Sequence, residues 1–452
     1  METSLQKEIM KIKTNYKNTK LFKLIVILSA IILSSNVYGQ NTQLETYKLG
    51  EGLNFSHENG TKVRFTGYLQ PYMDSKHYTD LDENSTQNRF RLRRARFRLD
   101  GNLKNERFKY RFAFDLIGTS EAGDETSNYL LDAFVSYDVT SRIKATFGQR
   151  STYTDNRELF MSSNTLQLVE RSRVTSAFAS IREFGLFVQG NFRTGRGSYL
   201  RPYFVLTNGD GGNVLGKDHG GLKIGGRIDF LPFGLFTNKG QFRQADVMRE
   251  TAPKLVIGTH FSHNKGMSSR RGRGSGDIIY LNELGEESLP DYTKIGVDLL
   301  FKYNGFSTLA EYIKTAATVP DDIIQRVRNN GTYSSTFEVN GLQDVENYVK
   351  GRMMLGEAYN IQMGYLFKNG FSIDGRYTHL IADEHSFLNN ATFYNRPNYY
   401  SIGLSKYLSR NYGAKIQASW TYIDGSDGIN DQNGDAITGN ETLTRVMLTF
   451  AF

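Results

Sequence analysis

The sequence contains no cysteine, one tryptophan and only seven prolines in 452 residues. The lack of cysteine excludes a disulfide framework, thiolate metal sites and thiol catalysis. Mean hydropathy is −0.47, and beyond residue 39 no run of about 20 apolar residues could form a membrane-spanning helix. Intrinsic disorder is also excluded, because 27 tyrosines and 30 phenylalanines exceed what disordered chains carry. Many aromatic residues and 44 glycines with little proline indicate an all-β protein.

The first 39 residues have the features of a secretory signal peptide. Six lysines precede the apolar run Leu24–Leu33, and small residues follow it up to Gly39. The run is too short to span a bilayer, which disfavours the alternative of an N-terminal membrane anchor. We therefore predict a signal peptide over 1–39 that is cleaved after Gly39. A short periplasmic segment over 40–61 and one domain over 62–452 would follow.

From residue 62 onward, apolar and polar residues alternate in segments about ten residues long, as in transmembrane β-barrels. Phe108, Phe112 and Phe114 share one parity, whereas Arg111 and Asp115 have the other. The apolar face would contact lipid and the polar face a water-filled lumen. We predict sixteen antiparallel strands near 62–74, 87–100, 108–117, 129–139, 142–150, 183–192, 199–207, 222–231, 254–263, 292–303, 306–316, 357–367, 371–381, 398–408, 412–423 and 442–452.

The connections between these strands agree with a barrel of the Gram-negative outer membrane. Tight turns such as Asn304–Gly305 alternate with long polar stretches over 264–291, 317–356, 382–397 and 424–441. Only the Leu231–Pro253 connection is longer than expected on the short-turn side. The terminal Phe452 continues the lipid-facing set of the last strand, as in the signal that the barrel-insertion machinery reads. A soluble β-sandwich or propeller is the alternative, but these folds rarely present so many aromatic residues on one parity.

Residues 89–99 form the densest cluster of positive charge in the chain. The apolar residues change from even to odd positions between Arg93 and Arg94. This change of parity predicts a β-bulge that turns both arginine side chains inward. Guanidinium groups are permanently charged and bind phosphate oxygens through two parallel hydrogen bonds. The predicted anion-binding and pore-lining residues are Arg89, Arg91, Arg93, Arg94, Arg96, Arg98, Arg64, Lys109, Arg111, Arg142, Lys144 and Arg150.

General diffusion pores can also carry an arginine cluster, which faces acidic residues on a loop across the constriction. Such an arrangement makes a transverse field rather than an anion site. The segment 151–182 decides between the two, and its charges are mixed. The candidate constriction-loop residues are Arg157, Glu158, Glu170, Arg171 and Arg173.

Three stretches together resemble the phosphate-selective porin O and P family. They are Arg93-Arg-Ala-Arg96, the segment with Leu159-Phe160 and Leu168-Val-Glu-Arg-Ser172, and the aromatic carboxyl end. The resemblance covers most of 62–452. It implies a sixteen-stranded, usually trimeric channel whose third extracellular loop, here 151–182, folds into the lumen. It also implies that Arg93 and Arg94 belong to an arginine-lined anion path.

Weaker features favour ordinary loops over additional sites. The Ser268–Gly276 stretch resembles an arginine–glycine nucleic-acid segment, but its place between strands favours a solvated loop, and we predict no nucleic-acid partner. Asp431, Asn433 and Asp435 resemble part of a calcium loop that lacks its final glutamate, since Thr442 stands there. No catalytic motif occurs, so neither an enzyme nor a cofactor or metal site is predicted.

The sequence therefore predicts an outer-membrane porin that passes small anions such as phosphate by passive diffusion. The expected partners are outer-membrane lipid and lipopolysaccharide, small anions, two further copies in a homotrimer, and the insertion machinery. Two alternatives remain open. One is a general diffusion porin with little charge selectivity, and the other is a non-conducting barrel that binds a partner through its long loops.

Overall fold

The computed structural model describes residues 42–79, 84–104, 106–118, 129–213, 219–272, 278–389, 396–424, 429–430, 436–437 and 440–452. Its main sheet has nineteen strands among these residues, and sixteen long ones form the barrel. They are β1 (Lys62–Thr79), β2 (Asn84–Asn102), β3 (Phe108–Asp115), β4 (Leu130–Asp138), β5 (Ile143–Ser151), β6 (Arg182–Gly190), β7 (Ser198–Thr207), β8 (Lys223–Leu231), β9 (Lys254–Asn264), β10 (Asp291–Tyr303), β11 (Phe306–Thr318), β12 (Gly356–Leu366), β13 (Phe371–Ala382), β14 (Asn398–Tyr407), β15 (Ala414–Asp424) and β16 (Asn440–Ala451).

These strands close into an antiparallel barrel. Each pairs with the next along the chain, and β16 returns to β1 through pairs such as Met447 with Tyr72 and Phe450 with Leu69. Gly67 and Phe452 exchange two backbone hydrogen bonds of 2.9 and 3.1 Å at the seam. The predicted sixteen-stranded barrel is confirmed.

The predicted alternation of polar and apolar residues decides which side chains face the interior. On β3, Phe112 and Phe114 are exposed on the outer face, whereas Ala113 and Asp115 are buried inside. On β12, Ile361 and its same-parity neighbours are likewise exposed. A strand has a side-chain period of two, so one apolar parity gives a continuous outer surface for lipid.

Strands β1 and β2 extend beyond the predicted ranges 62–74 and 87–100. Their additional residues, 75–79 and 84–86, are predominantly polar on both parities, so alternation ends there although pairing continues. The predicted bulge lies on this hairpin. Arg94 pairs with Gln70 and Leu92 pairs with Pro71, which leaves Arg93 as the extra residue. Proline has no N–H to donate to a ladder, and so suits a position beside a bulge.

The two ends of the barrel differ as predicted, with tight turns at one end and long connections at the other. The exception is the 232–253 connection at the short-turn end, which contains a 3₁₀ helix over Thr237–Phe242 and folds inward. Its backbone oxygens at Gly240 and Ala245 accept hydrogen bonds of 2.9 and 3.0 Å from Nζ of Lys302 on β10. This contact anchors the connection to the inner wall.

The remaining elements are short. Strand Leu53–His57 pairs with the start of β1 and with Thr42–Leu44, in the segment for which the sequence predicted no strand. The other strands are Phe192–Gly195, Tyr280–Leu281, Gln325–Val327, Tyr333–Ser334, Glu338–Val339, Leu342–Gln343, Ile429–Asn430 and Ala436–Ile437. The helices are α1 (Arg173–Phe178), α2 (Val345–Lys350) and the 3₁₀ turns Arg157–Phe160, Ser163–Thr165 and Phe387–Asn389.

Within the described ranges, none of the helices has the length and apolar character needed to cross a membrane. The predicted signal peptide and the calcium-like residues Asp431, Asn433 and Asp435 lie outside the described residues, as do residues 273–276 of the arginine–glycine stretch.

Candidate functional site

Residues 152–181, here called the constriction segment, connect β5 to β6 and cross the barrel interior. Arg157 Nε donates a 2.6 Å hydrogen bond to Asp298 on β10, and Gln167 Nε2 donates one of 2.9 Å to Asp374 on β13. Both acceptors face inward from strands far from β5 and β6. The segment therefore lies inside the barrel, against the wall formed by β8 to β15.

Buried ion pairs attach the constriction segment to that wall. Arg157 and Arg227 both contact Asp229 and Asp298 at 2.6 to 2.7 Å, and all four side chains are almost completely buried. Two guanidiniums and two carboxylates balance their charges, as buried ions require. The β8–β15 side of the lumen is thus filled, and we call it the filled half.

A second buried pair fixes the end of the constriction segment. The Asp155 carboxylate contacts Nζ of Lys294 at 2.7 Å. It also accepts hydrogen bonds from the backbone N–H groups of Ser180 and Ile181. Burial alone raises the pKa of the Asp155 carboxyl, but Lys294 and Lys223 outweigh this effect and lower it. The apolar side chains of Met161 and Leu166 complete the packing against β8 to β11.

Glu170 brings the constriction segment to the opposite wall. Its carboxylate contacts Arg93 Nε at 2.6 Å and Arg94 Nη2 at 2.8 Å, and its backbone oxygen accepts a 2.9 Å bond from Arg376. Burial alone raises the pKa of Glu170, but Arg93, Arg94 and Arg445 together hold it well below its usual range. The Glu170 carboxylate thus interacts with the three guanidiniums of Arg93, Arg94 and Arg445, while Arg376 binds the backbone oxygen of the same residue.

We did not predict Arg376 and Arg445 as lumen residues from the sequence. Both have the inward parity of their strands, shared with Asp374 on β13 and with Met447 on β16. Extending the alternation rule from β2 to every strand would have placed them in the lumen. Their closeness to Glu170, however, depends on how the constriction segment crosses the barrel, which strand parity does not specify.

The other arginines of β2 have partners spread along the wall. Arg89 pairs with Asp74, Arg96 with Asp115 and Arg98 with Asp100, at distances of 2.7 to 3.2 Å. Arg91 donates a 2.5 Å bond to the Tyr72 hydroxyl. Neighbouring strands continue the pattern in the contacts Arg111–Asp100, Lys109–Asp138, Lys144–Asp138 and Arg182–Asp132. Cations and carboxylates therefore alternate along this wall.

A cavity of about 1180 Å³ opens beside this wall at the short-turn end, and we call it the basic vestibule. Among the described residues, twelve basic and four acidic side chains line it. The basic residues are Lys62, Arg64, Arg96, Arg98, Lys109, Arg111, Lys144, Arg150, Arg182, Arg201, Lys239 and Arg243, and the acidic ones are Glu45, Asp100, Glu106 and Asp132. The β1–β7 side, with its vestibule, is here called the open half.

The predicted pore-lining residues are thus divided between several places. Arg64, Arg96, Arg98, Lys109, Arg111, Lys144 and Arg150 line the vestibule. Arg93 and Arg94 meet Glu170, and Arg89 and Arg91 lie farther along β2 towards the long connections. Arg142 is exposed in the turn before β5.

The predicted constriction-loop residues also separate. Arg157 and Glu158 are buried in the packing of the segment, where Glu158 accepts 2.7 to 2.8 Å bonds from Ser172 and Thr175. Arg171 donates a 2.6 Å bond to the backbone oxygen of Met161, and Arg173 lies 5.9 Å from the centre of the Tyr399 ring. In the described contacts of this group, Glu170 is the residue that meets the arginines of β2.

The chain is similar to a known family and to several solved structures. The family model described as phosphate-selective porin O and P matches residues 65–341. Among solved structures, OmpT of Vibrio cholerae has 8% identity, covers 91% of this chain and 100% of its own, and gives a TM-score of 0.46. The outer membrane channel DcaP of Acinetobacter baumannii has 13% identity, coverages of 88% and 99%, and a TM-score of 0.49.

The anion-selective porin from Comamonas acidovorans has 10% identity, covers 87% of this chain and 100% of its own, and gives a TM-score of 0.46. No curated protein matches the sequence.

Proposed function

The chain belongs to the phosphate-selective porin O and P family, and from this premise we propose that it passes small anions, of the phosphate type, across the outer membrane by passive diffusion. It is an outer-membrane porin. The observation that supports anion passage most directly is the charge of the basic vestibule, where twelve basic side chains face four acidic ones among the described residues.

The proposed path follows the wall of β1 to β7. From the long-connection end an anion passes Arg89 and Arg91, reaches the guanidiniums around Glu170, and leaves through the vestibule. In a narrow lumen the effective dielectric is well below that of water, so each guanidinium attracts an anion more strongly than it would in bulk solution.

The carboxylates along the wall serve this path in two ways. Asp74, Asp115 and Asp100 hold their arginines in fixed orientations, and they weaken the net attraction at each position. A row of moderate sites lets an anion bind and still leave, whereas one deep site would trap it. Phosphate suits the row because its oxygens match guanidinium N–H pairs.

A general diffusion pore with little charge selectivity is the second candidate. Glu170 on the constriction segment faces Arg93 and Arg94 on the wall, which is the arrangement that creates a transverse field. The excess of arginines around that single carboxylate favours the anion path. A non-conducting barrel that binds a partner through its long loops is distinguished from both candidates by the lack of conductance steps.

The proposal extends to processing and assembly. Cleavage after Gly39 would precede insertion through Phe452, whose ring packs 5.9 Å from the rings of Phe65 and Phe97 at the barrel seam. The barrel would reside among outer-membrane lipid and lipopolysaccharide as a homotrimer. Mass spectrometry of the purified amino terminus and chemical cross-linking in outer-membrane vesicles test these two statements.

The transport proposal is tested in planar bilayers. A tenfold KCl gradient should give a reversal potential of the sign expected for chloride permeation, and millimolar phosphate should reduce the chloride current. A reversal potential near zero together with phosphate-insensitive current would favour the general diffusion pore. Clear cation preference would contradict both transport candidates.

A further inference from the structure

The described parts of two long connections, 265–272 with 278–290 and 319–355, form a compact cap at the end of the barrel opposite the vestibule. Strand Gln325–Val327 pairs with both Tyr280–Leu281 and Tyr333–Ser334, which makes a three-stranded sheet. Tyr280, Phe337, Val349 and Met353 belong to one buried apolar cluster beneath it. The cap is therefore a packed scaffold that can hold side chains in fixed positions.

Three arginines gather on this scaffold. Arg326 and Arg352 lie 4.8 and 5.0 Å from the centre of the same Tyr348 ring, and Arg352 Nη2 donates a 2.8 Å bond to that tyrosine's hydroxyl. Arg270 Nη1 donates a 3.2 Å bond to the backbone oxygen of Arg352 and lies 3.6 Å from the centre of the Phe387 ring. Each of the three guanidiniums is thus in contact with an aromatic ring.

A further feature of the cluster is the lack of a described carboxylate partner. Among the described residues, no aspartate or glutamate makes an ion pair with Arg270, Arg326 or Arg352, whereas most arginines of the lumen have such a partner. Burial lowers the pKa of Arg270 to about 10, and repulsion from Arg352 acts in the same direction. Partly buried like charges held together in this way call for an anion.

The Tyr280 hydroxyl is a second, independent observation that points to a binding site. Its side chain is 2% exposed, and its hydroxyl oxygen is buried without a hydrogen-bond partner. Buried polar atoms are nearly always paired, because leaving one unpaired costs about 1 to 3 kcal/mol. Burial raises the pKa of this hydroxyl, while Arg352, Arg270 and Arg326 act to lower it. Arg326 is also the residue that pairs with Tyr280 in the cap sheet.

We propose that Arg270, Arg326, Arg352 and the Tyr280 hydroxyl form a binding site for a phosphate group in the cap. The three guanidiniums supply charge and paired N–H donors, and the hydroxyl supplies one further donor. A phosphate group has enough oxygens to engage all four groups, whereas a carboxylate has two. None of these four residues lines the vestibule, so the proposal does not depend on whether the barrel conducts anions.

The phosphate group could belong to free inorganic phosphate or to the headgroup of a phosphorylated lipid, and the test separates the two. Binding of radiolabelled inorganic phosphate is measured on the purified full chain in detergent. Binding to vesicles that contain phosphorylated lipid A is compared with binding to vesicles that contain its dephosphorylated form. If the measured phosphate or vesicle binding changes when cap residues are substituted, the cap is the binding site.

The informative variants are the double change Arg270→Gln with Arg352→Gln, and the single change Tyr280→Phe. Arg328→Gln is the matched control, because Arg328 is an exposed arginine of the same connection, bonded to Ser334 at 3.2 Å. We expect about tenfold weaker binding from the double variant and a severalfold loss from Tyr280→Phe, as the loss of charged and neutral hydrogen bonds implies. Arg328→Gln should bind like the wild type.

Tyr280→Phe also separates loss of binding from misfolding, because it keeps the ring and removes only an unpaired hydroxyl. Lumen binding is monitored with Arg93→Gln/Arg94→Gln, which should leave cap binding intact. Variant-sensitive binding of inorganic phosphate supports the site with a soluble ligand. Variant-sensitive binding of phosphorylated vesicles alone supports it with a lipid headgroup. If neither form of binding changes in the cap variants, the proposal is overturned.

Discussion

The filled half and the open half of the barrel use the same residue types for different purposes. In the filled half, Arg157 and Arg227 balance Asp229 and Asp298, and all four are buried. In the open half, Arg98 and Arg111 share Asp100 while staying about one-third exposed. Matched, dehydrated charges fix a segment in place, whereas unmatched, hydrated charges remain available to a mobile ion.

The boundary between the halves passes through the constriction segment. Its Asp155 and Arg157 are committed to the filled half, and its Glu170 reaches the open half. The filled half therefore acts as the rigid support that holds one carboxylate against the arginines of β2. This division predicts that substitutions in the filled half affect stability, and that those in the open half affect ion selectivity.

The largest expected effect is on stability, from Arg227→Met in the filled half. Among the described residues, this change leaves Arg157 as the one ion-pair partner of Asp229 and Asp298. Breaking such a buried network costs about 3 to 5 kcal/mol. Arg98→Met in the open half removes a half-exposed pair and should cost less than about 1 kcal/mol. Urea unfolding in lipid vesicles, followed by gel mobility, compares the two variants. Equal losses of stability would contradict the division into halves.

The next effect is on selectivity, from Arg93→Gln combined with Arg94→Gln. The constriction would keep Glu170 and lose both of its ion-pair partners, so anion preference should fall. Phosphate block of chloride current should weaken about tenfold or more, since each charged hydrogen bond contributes about 1.5 to 3 kcal/mol. Arg193→Gln, an exposed arginine in Phe192–Gly195, is the control. Unchanged block would remove the constriction from the mechanism.

Glu170→Gln should act in the opposite direction. Removing the carboxylate frees the positive charge of Arg93, Arg94 and Arg445, so the permeability ratio for chloride over potassium should rise severalfold. Reversal potentials in a KCl gradient measure this ratio. A transverse-field pore would instead show a changed conductance with little change in the ratio.

The same variant tests how acid affects the constriction. The pKa of Glu170 is lowered in the folded protein, so its stabilising contribution is complete above its ordinary value of 4.5 and is lost as pH falls through the folded pKa. Between about pH 4 and pH 2, the wild type should lose more unfolding free energy than Glu170→Gln. Urea unfolding at several pH values gives the difference. Parallel pH curves would show that the ion pairs with Glu170 contribute nothing to stability.

Strand parity in the sequence predicted the strands of both halves, but not the contacts that fill one of them. Alternation is a local property, so it identified the sixteen strands, the bulge at Arg93 and the inward arginines of β2. The balance of charge in the lumen is a long-range property. Sequence proximity could not show that Arg157 meets Asp298, or that Glu170 meets Arg94, because these pairs form only when the constriction segment crosses the barrel.

The inward connection 232–253 shows the same limit. Its length signalled an exception at the short-turn end, but its apolar and polar residues have no period that reveals an inserted segment. Lys239 and Arg243 therefore escaped notice as vestibule residues, although they face the arginines of the β1–β7 wall across the cavity.

These two residues give the smallest expected effect, from Lys239→Gln combined with Arg243→Gln. Among the described residues, neither side chain makes an ion pair or hydrogen bond with the constriction segment. Their removal should therefore change anion conductance only by lowering the local anion concentration. At about 0.01 M salt the Debye length is about 30 Å, and conductance should fall by up to about twofold. At 1 M salt screening reaches about 3 Å, and the variant should match the wild type. Arg142→Gln, an exposed turn residue outside the vestibule lining, is the control. A deficit that persists at 1 M salt would mean that the inserted connection obstructs the path physically and does not act through its charge.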